Sequence, residues 1–139
     1  MTYSFVVIGL PASQGSKRYV GRGIMIESDK RLPAWRESVK WMAVQARGTN
    51  PPLDGPLRCT MIFTLPKPKS APKARRTWPD KKPDLSKLVR SVEDALTDSG
   101  LIVDDARIVD YAGTRKCFPN EDPKALDVPG VRIELEKVA

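Results

Sequence analysis

The stretch KPDLSKLVRSVEDALTDSGLIVDDARIVDY, residues 82–111, decides how the chain is read. Within it Leu85, Leu88, Val89, Val92 and Leu96 recur at three- and four-residue spacing, the apolar stripe of an amphipathic helix. At about 100° per residue, Asp84, Lys87, Arg90, Ser91 and Asp94 gather on the opposite, polar side. Pro83 precedes the helix, and Asp84 stands where a carboxylate commonly caps the first turn. Thr97-Asp98-Ser99-Gly100 supplies the stop; Leu101-Ile102-Val103 then leads into the adjacent acids Asp104 and Asp105, and a strand starts at Ile108. A helix, a short return and a strand in this order suit a domain that mixes both element types.

The flanking segments agree. Tyr3 to Ile8 is rich in β-branched and aromatic residues and stops at Gly9-Leu10-Pro11, as a buried strand would. SQGSKRYVGRGIMIE, residues 13–27, reads as a loop and short hairpin, and its glycines match neither a phosphate-binding loop nor a dinucleotide fingerprint. Leu32, Trp35, Val39, Met42 and Ala46 mark one face of a helix from Leu32 to Arg47 that Pro33 opens, with Trp41 off the stripe. Arg58 to Leu65 alternates, placing Cys59, Met61, Phe63 and Leu65 on one side and Arg58, Thr60 and Thr64 on the other. Val131, Ile133 and Leu135 alternate in the same way, and Ile108 to Arg115 makes a less regular strand. The expectation is one α+β domain over residues 1–139, a mixed β-sheet of about four to five strands packed with two main helices.

Composition narrows the chemistry. The 139 residues carry 24 Lys and Arg against 17 Asp and Glu, a formal charge of +7, which favours a polyanionic partner because each neutralised phosphate releases counterions. There is no histidine, which removes the usual general base, the usual zinc ligand and the Ser-His-Asp triad together. Cys59 and Cys117 are the only cysteines, too few for a zinc knuckle or a disulfide framework and consistent with a reducing cytoplasm. Hydrolytic chemistry must then rest on carboxylates, Lys or Tyr with a hard metal ion. No apolar run approaches the roughly 20 residues of a membrane span, and the N-terminus reads as a first strand rather than a signal peptide.

Residues 66–83, PKPKSAPKARRTWPDKKP, hold seven Lys or Arg, five Pro and one acid. Proline at this density forbids a helix or central strand and predicts an extended, mobile loop. As a plain linker the loop would only be solvated. Its one-sided charge and its run into the acidic motif favour DNA contact through Lys67, Lys69, Lys73, Arg75, Arg76, Lys81 and Lys82, with Trp78 as a base-stacking or wedge residue. Lys17, Arg18 and Arg22 of the hairpin, and Arg115 and Lys116 near the third strand, extend this basic set.

Two adjacent acids such as Asp104 and Asp105 are costly to crowd unless cations neutralise them. A short helix folding back would bring Asp84 close to them, giving oxygen ligands for Mg²⁺ or Mn²⁺. Arg90, or Lys87, would then stabilise charge developing on a phosphate. The alternative is ordinary surface: a capping Asp84 and a solvated helix face with ion pairs.

The order Lys82-Pro83-Asp84-Leu85, then Asp94-Ala95-Leu96-Thr97, then Asp104 through Tyr111, with a basic residue at Arg115 or Lys116, resembles the RusA family of Holliday-junction resolvases. The resemblance is strongest over residues 82–116 and extends more weakly, in element order, to most of the chain. It implies a homodimeric, Mg²⁺-dependent endonuclease, often phage or prophage encoded, that nicks paired strands of four-way DNA in the bacterial cytoplasm. By position, the family's acids fall on Asp84 and Asp105, with Asp104 and Asp94 as companions, and its basic helix residue falls on Arg90. The family commonly reads Asp-x-Asp-Asn where this chain reads Asp84-Leu85-Ser86-Lys87, so a carboxylate has become a hydroxyl and an amide a cation. If residues 84–86 are extended, Ser86 points into the metal site as a poorer ligand. A junction-binding protein with weak or lost catalysis is therefore the alternative to a nuclease, and a purely structural basic protein a third reading.

Overall fold

The structure, a computed structural model, describes residues 2–15, 17–23, 25–27 and 29–138, with side chains outside 17–19 and 25–27. In chain order it runs β1 (Thr2–Ile8), β2 (Lys17–Tyr19), β3 (Met25–Glu27), α1 (Leu32–Arg47), β4 (Leu57–Thr64), α2 (Leu85–Ser99), a 3-10 turn (Asp105–Arg107), β5 (Ile108–Tyr111), β6 (Arg115–Cys117) and β7 (Gly130–Lys137). Five strands form one mixed sheet in the order β1-β7-β4-β5, with β6 also pairing β4. β7 pairs antiparallel with both β1 and β4, while β5 and β6 lie parallel to β4. β2 and β3 make the expected separate hairpin. The α+β architecture with two main helices is thus as the sequence pattern predicts.

Both helices cover one face of the sheet. Trp35, Val39 and Ala43 of α1 and Leu88, Val92 and Leu96 of α2 join Cys59, Met61 and Phe63 of β4 and Val131, Ile133 and Leu135 of β7 in one core. Met42 and Ala46, expected on the stripe of α1, pack against that core only partly buried. α1 packs on α2. The Trp35 indole donates to Ser91 Oγ at 3.2 Å, and Ser91 in turn donates to the Leu88 carbonyl. Ser91, expected on the polar side of α2, is fully buried because this bond needs it at the seam between the helices.

Two further expectations change. The second face of β4 is not open to water along its length: Ile62 and Thr64 are completely buried, and Thr64 Oγ1 accepts from the Leu126 amide of a segment crossing that end of the sheet. The strand expected from Ile108 to Arg115 is interrupted. After Tyr111 the chain leaves the ladder, Thr114 Oγ1 takes the Met61 amide at 3.1 Å in place of a backbone carbonyl, and β6 resumes the pairing.

Two glycines matter to the geometry. Gly100 ends α2 in the left-handed conformation at φ 77°, which turns the chain back toward the sheet. Gly130 opens β7 where a Cβ would stand 2.3 Å from the Val7 carbonyl oxygen, so only the absence of a side chain allows β1 to pair there.

Candidate active site

α2 presents the candidate residues in sequence order. Asp84 occupies its N-cap position with extended backbone, but its carboxylate makes no capping bond and lies 3.6 Å from Lys87 Nζ. The helix starts at Leu85, so Ser86 already lies in its first turn and residues 84–86 are not an extended run. The alternation that would point Ser86 alongside Asp84 is therefore lost.

The return from α2 is pinned before the acidic pair begins. Leu53 donates to the Leu101 carbonyl at 2.8 Å and accepts from the Val103 amide at 3.0 Å. Asp104 then caps the 3-10 turn, its Oδ1 accepting from the Ala106 amide at 3.1 Å. That backbone bond, ahead of a hydrogen bond with Asp105, holds the Asp104 carboxyl below its usual range. Asp105 moves the other way. The hydrogen bond with Asp104 raises it most, followed by burial and by the charges of Glu93, Asp104 and Asp94. Opposite shifts in a touching pair, one carboxyl lowered and its neighbour raised, are the behaviour of crowded acids.

The acids whose charges act on Asp105 include two from the middle of α2, Glu93 and Asp94. Asp84 precedes Asp94 by ten residues, which at 1.5 Å per residue is about 15 Å along the helix axis. The turn after Gly100 packs the 3-10 turn against α2, which sets the charges of Glu93 and Asp94 near Asp105.

Three residues join this centre that the sequence did not single out. The Gln14 side chain donates to Asp94 Oδ2, and its backbone N–H donates to the Lys87 carbonyl at 3.0 Å, so the β1–β2 loop lies over the polar side of α2. Gln14 Oε1 is buried without a partner among the described residues. The Tyr111 hydroxyl donates to Glu93 Oε2 at 2.6 Å, and burial followed by this bond pushes the phenol far above its usual range. Glu93 neighbours Asp94 in sequence, a visible acid pair; Gln14 carries no local signal, since only the folding of its loop onto α2 brings it there. Arg90 lies beside the same loop, where a Cβ on Gly15 would come within 3.1 Å of its Nη1.

The donor set suits a hard cation in type, since every side-chain donor is an oxygen. Among the described residues no three acidic or cysteine side chains are arranged around a single ion position. Thiol chemistry has no footing here: both cysteines are buried, and burial pushes the Cys59 thiol up to about 12.

The basic loop is irregular, as its prolines require, but it is tied down rather than loose. Lys67 pairs with Glu121 at 2.5 Å, Glu121 accepts from the Thr77 amide at 2.7 Å, and Arg76 reaches Asp122 at 3.0 Å. Asp122 also takes Arg115 through two nitrogens, each at 2.7 Å, and its carboxylate is only 3% exposed. The bonds from Arg115 above all hold it far below the usual carboxylate range. Lys116 donates to the carbonyls of Lys81 and Pro83 at 3.0 Å each, fixing the approach to Asp84 through a cis Lys82–Pro83 bond. Lys67, Arg76, Arg115 and Lys116 therefore have bonds within the fold, whereas Lys69, Lys73, Arg75, Lys81 and Lys82 remain exposed. Arg22 is exposed in the hairpin turn; the side chains of Lys17 and Arg18 lie outside the described residues.

Fold and site together define a small basic α+β protein with acids on α2 and on the turn after it, and a cationic loop that runs into the start of the same helix. The family described as Endodeoxyribonuclease RusA matches residues 9–136. The chain belongs to the RusA endodeoxyribonuclease family. Comparison with curated proteins finds no match. Among the described residues no helix is long and apolar enough to cross a membrane.

Proposed function

We propose that the protein cuts four-way and related branched DNA by paired nicks, acting as a homodimer with Mg²⁺ or Mn²⁺ in the cytoplasm of a bacterial host cell. The observation that carries this reading is the crowded pair Asp104 and Asp105, facing Glu93 and Asp94 in a basic chain of an endodeoxyribonuclease family. A carboxyl that ionises reluctantly beside three other acids gains most from a nearby cation. Asp104 and Asp105 would hold the ion, completed either by Asp84, the acid to which the family resemblance points, or by Asp94, whose charge acts on Asp105. Bound there, a divalent cation lowers the pKa of water and neutralises charge on a phosphate. The chain's own parts do the positioning. Ala106 orients Asp104, Gln14 orients Asp94, and Tyr111 orients Glu93. Arg90 supplies positive charge to the phosphate, and the exposed lysines of the loop hold the flanking backbone.

The direct test incubates the pure protein with a four-way junction, a linear duplex and a flap in Mg²⁺, with Asp105→Asn as control. Junction cleavage lost in the variant supports the reading. A folded protein that cuts no substrate, or all of them equally, overturns it.

A second reading has its own support: Ser86 stands where the family commonly has an acid, and three ligands do not converge on one point among the described residues. It makes the protein a junction binder with little cleavage. Salt-sensitive junction binding without nicking, and activity gained by Ser86→Asp, would favour it over the first.

A further inference from the structure

Between the basic loop and the end of the sheet lies a groove of about 650 Å³. Its walls are apolar and aromatic, with Leu10, Pro72, Trp78 and Phe118 among them, and its rim carries Arg75, Lys81 and Lys82. Among the described residues no carboxylate pairs with those three cations, and Asp80 is the only acid of the lining. The fourth cation of the lining, Arg31, is paired with Asp29.

We infer that this groove captures one unstacked nucleotide of the DNA substrate, the base against Trp78 and the phosphates against Arg75, Lys81 and Lys82. Size, charge and position support this occupant. A cleft of this volume falls in the range that encloses a single small ligand, far too small for a duplex. An aromatic floor with a cationic rim is how single-stranded nucleic acid is held, by stacking and phosphate contact together. Lys82 and Pro83 line the groove and run directly into Asp84, so a nucleotide seated there lies at the start of the helix that carries the candidate acids.

Trp78 is built for the task. It is 53% exposed, yet its ring is braced from one side by Arg76, whose guanidinium carbon lies 3.9 Å from the ring centroid. Arg76 is itself held by the buried carboxylate of Asp122 and does not line the groove. The Thr77 amide is bound to Glu121 and the Asp80 amide to the Trp78 carbonyl, fixing the backbone on both sides of the ring. An exposed indole held this firmly has lost most of its rotamer freedom before a base arrives, which lowers the ordering cost of stacking. A linear duplex keeps its bases paired and stacked, so a nucleotide enters the groove only where the strand is opened, as a protein can do at a branch point.

The inference rests on the proposed action on branched DNA, but it is tested separately, with a fluorescently labelled five-nucleotide oligothymidylate and the full chain. Binding by the wild type with quenching of tryptophan emission is expected. Trp78→Ala should weaken that binding about tenfold, the scale of one base–aromatic stack, and Trp78→Phe should restore most of it. Linear-duplex affinity should change less than twofold in the alanine variant. An Arg75→Ala/Lys81→Ala double variant, which leaves the brace of Trp78 intact, should weaken the oligonucleotide in a salt-dependent manner. Unchanged oligonucleotide affinity in Trp78→Ala, or an equal loss on duplex, overturns the groove assignment. Junction cleavage by a wild type whose Trp78 variants bind normally sinks the groove alone; oligonucleotide capture without cleavage of any substrate sinks the nuclease reading alone.

Discussion

At the scale of single residues, Asp105 and Asp122 show one side-chain type doing opposite things. Asp105 is raised by its bond to Asp104, by burial and by neighbouring acids, so its ionised form is a liability to the apo fold. Asp105→Asn is therefore expected to leave the melting temperature unchanged or higher while lowering junction cleavage by about 100-fold or more, the scale of losing one transition-state contact. Thermal melting beside a single-turnover assay checks both halves. Asp122 is depressed by Arg115 first, so its folded pKa lies below its unfolded value. The stability it contributes is present above about pH 4, the unfolded carboxylate range, and is lost as pH falls through the depressed value. Protection of the amides of residues 66–83, measured against the free-peptide exchange rate at each pH, should fall in acid, and Asp122→Asn should show low protection already at neutral pH. Exchange in the variant as slow as in the wild type would show that Asp122 does not hold the loop.

At the scale of elements, α2 is a core helix whose polar side carries the candidate chemistry, and its seam with α1 depends on one hydroxyl. Ser91→Ala leaves the Trp35 indole N–H without its buried acceptor and should cost about 1–3 kcal/mol in denaturant unfolding. Gly130→Ala would place a methyl against the Val7 carbonyl and Leu126, and overpacking of this kind costs about 1–3 kcal/mol. Because the added methyl would meet Val7 and Ile8 of β1, exchange of the β1 amides should rise more than that of β4, with which Gly130 also pairs. The basic loop is an element without regular structure, and its prolines made that legible. That it is stapled was not legible, because Glu121 lies 54 residues beyond Lys67 and Asp122 46 beyond Arg76, and both meet the loop only after β6 has joined the sheet.

At the scale of the whole molecule, the +7 charge divides into cations that bond within the fold and cations that face solvent. Removing Lys69 or Lys73 should lower the slope of log affinity against log salt by about one, with no loss of melting temperature. Removing Arg115 should instead lower the melting temperature, since it acts through Asp122. Equal behaviour of the two kinds of variant would show that the division does not hold in solution. The element order, both long helices, the buried faces of β4 and β7 and the acidic motifs were determined by the sequence itself, because hydrophobic period and turn residues are local properties. The broken third strand, the burial of Ser91 and the partners of Asp105 were decided only by the tertiary structure. Each depends on residues distant in sequence: Thr114 filling a gap beside Met61, Trp35 reaching across to α2, and the turn after Gly100 bringing Asp105 under the charges of Glu93 and Asp94. Spacing along one helix fixes which residues share a face, but which face a returning chain meets is set by how the pieces pack.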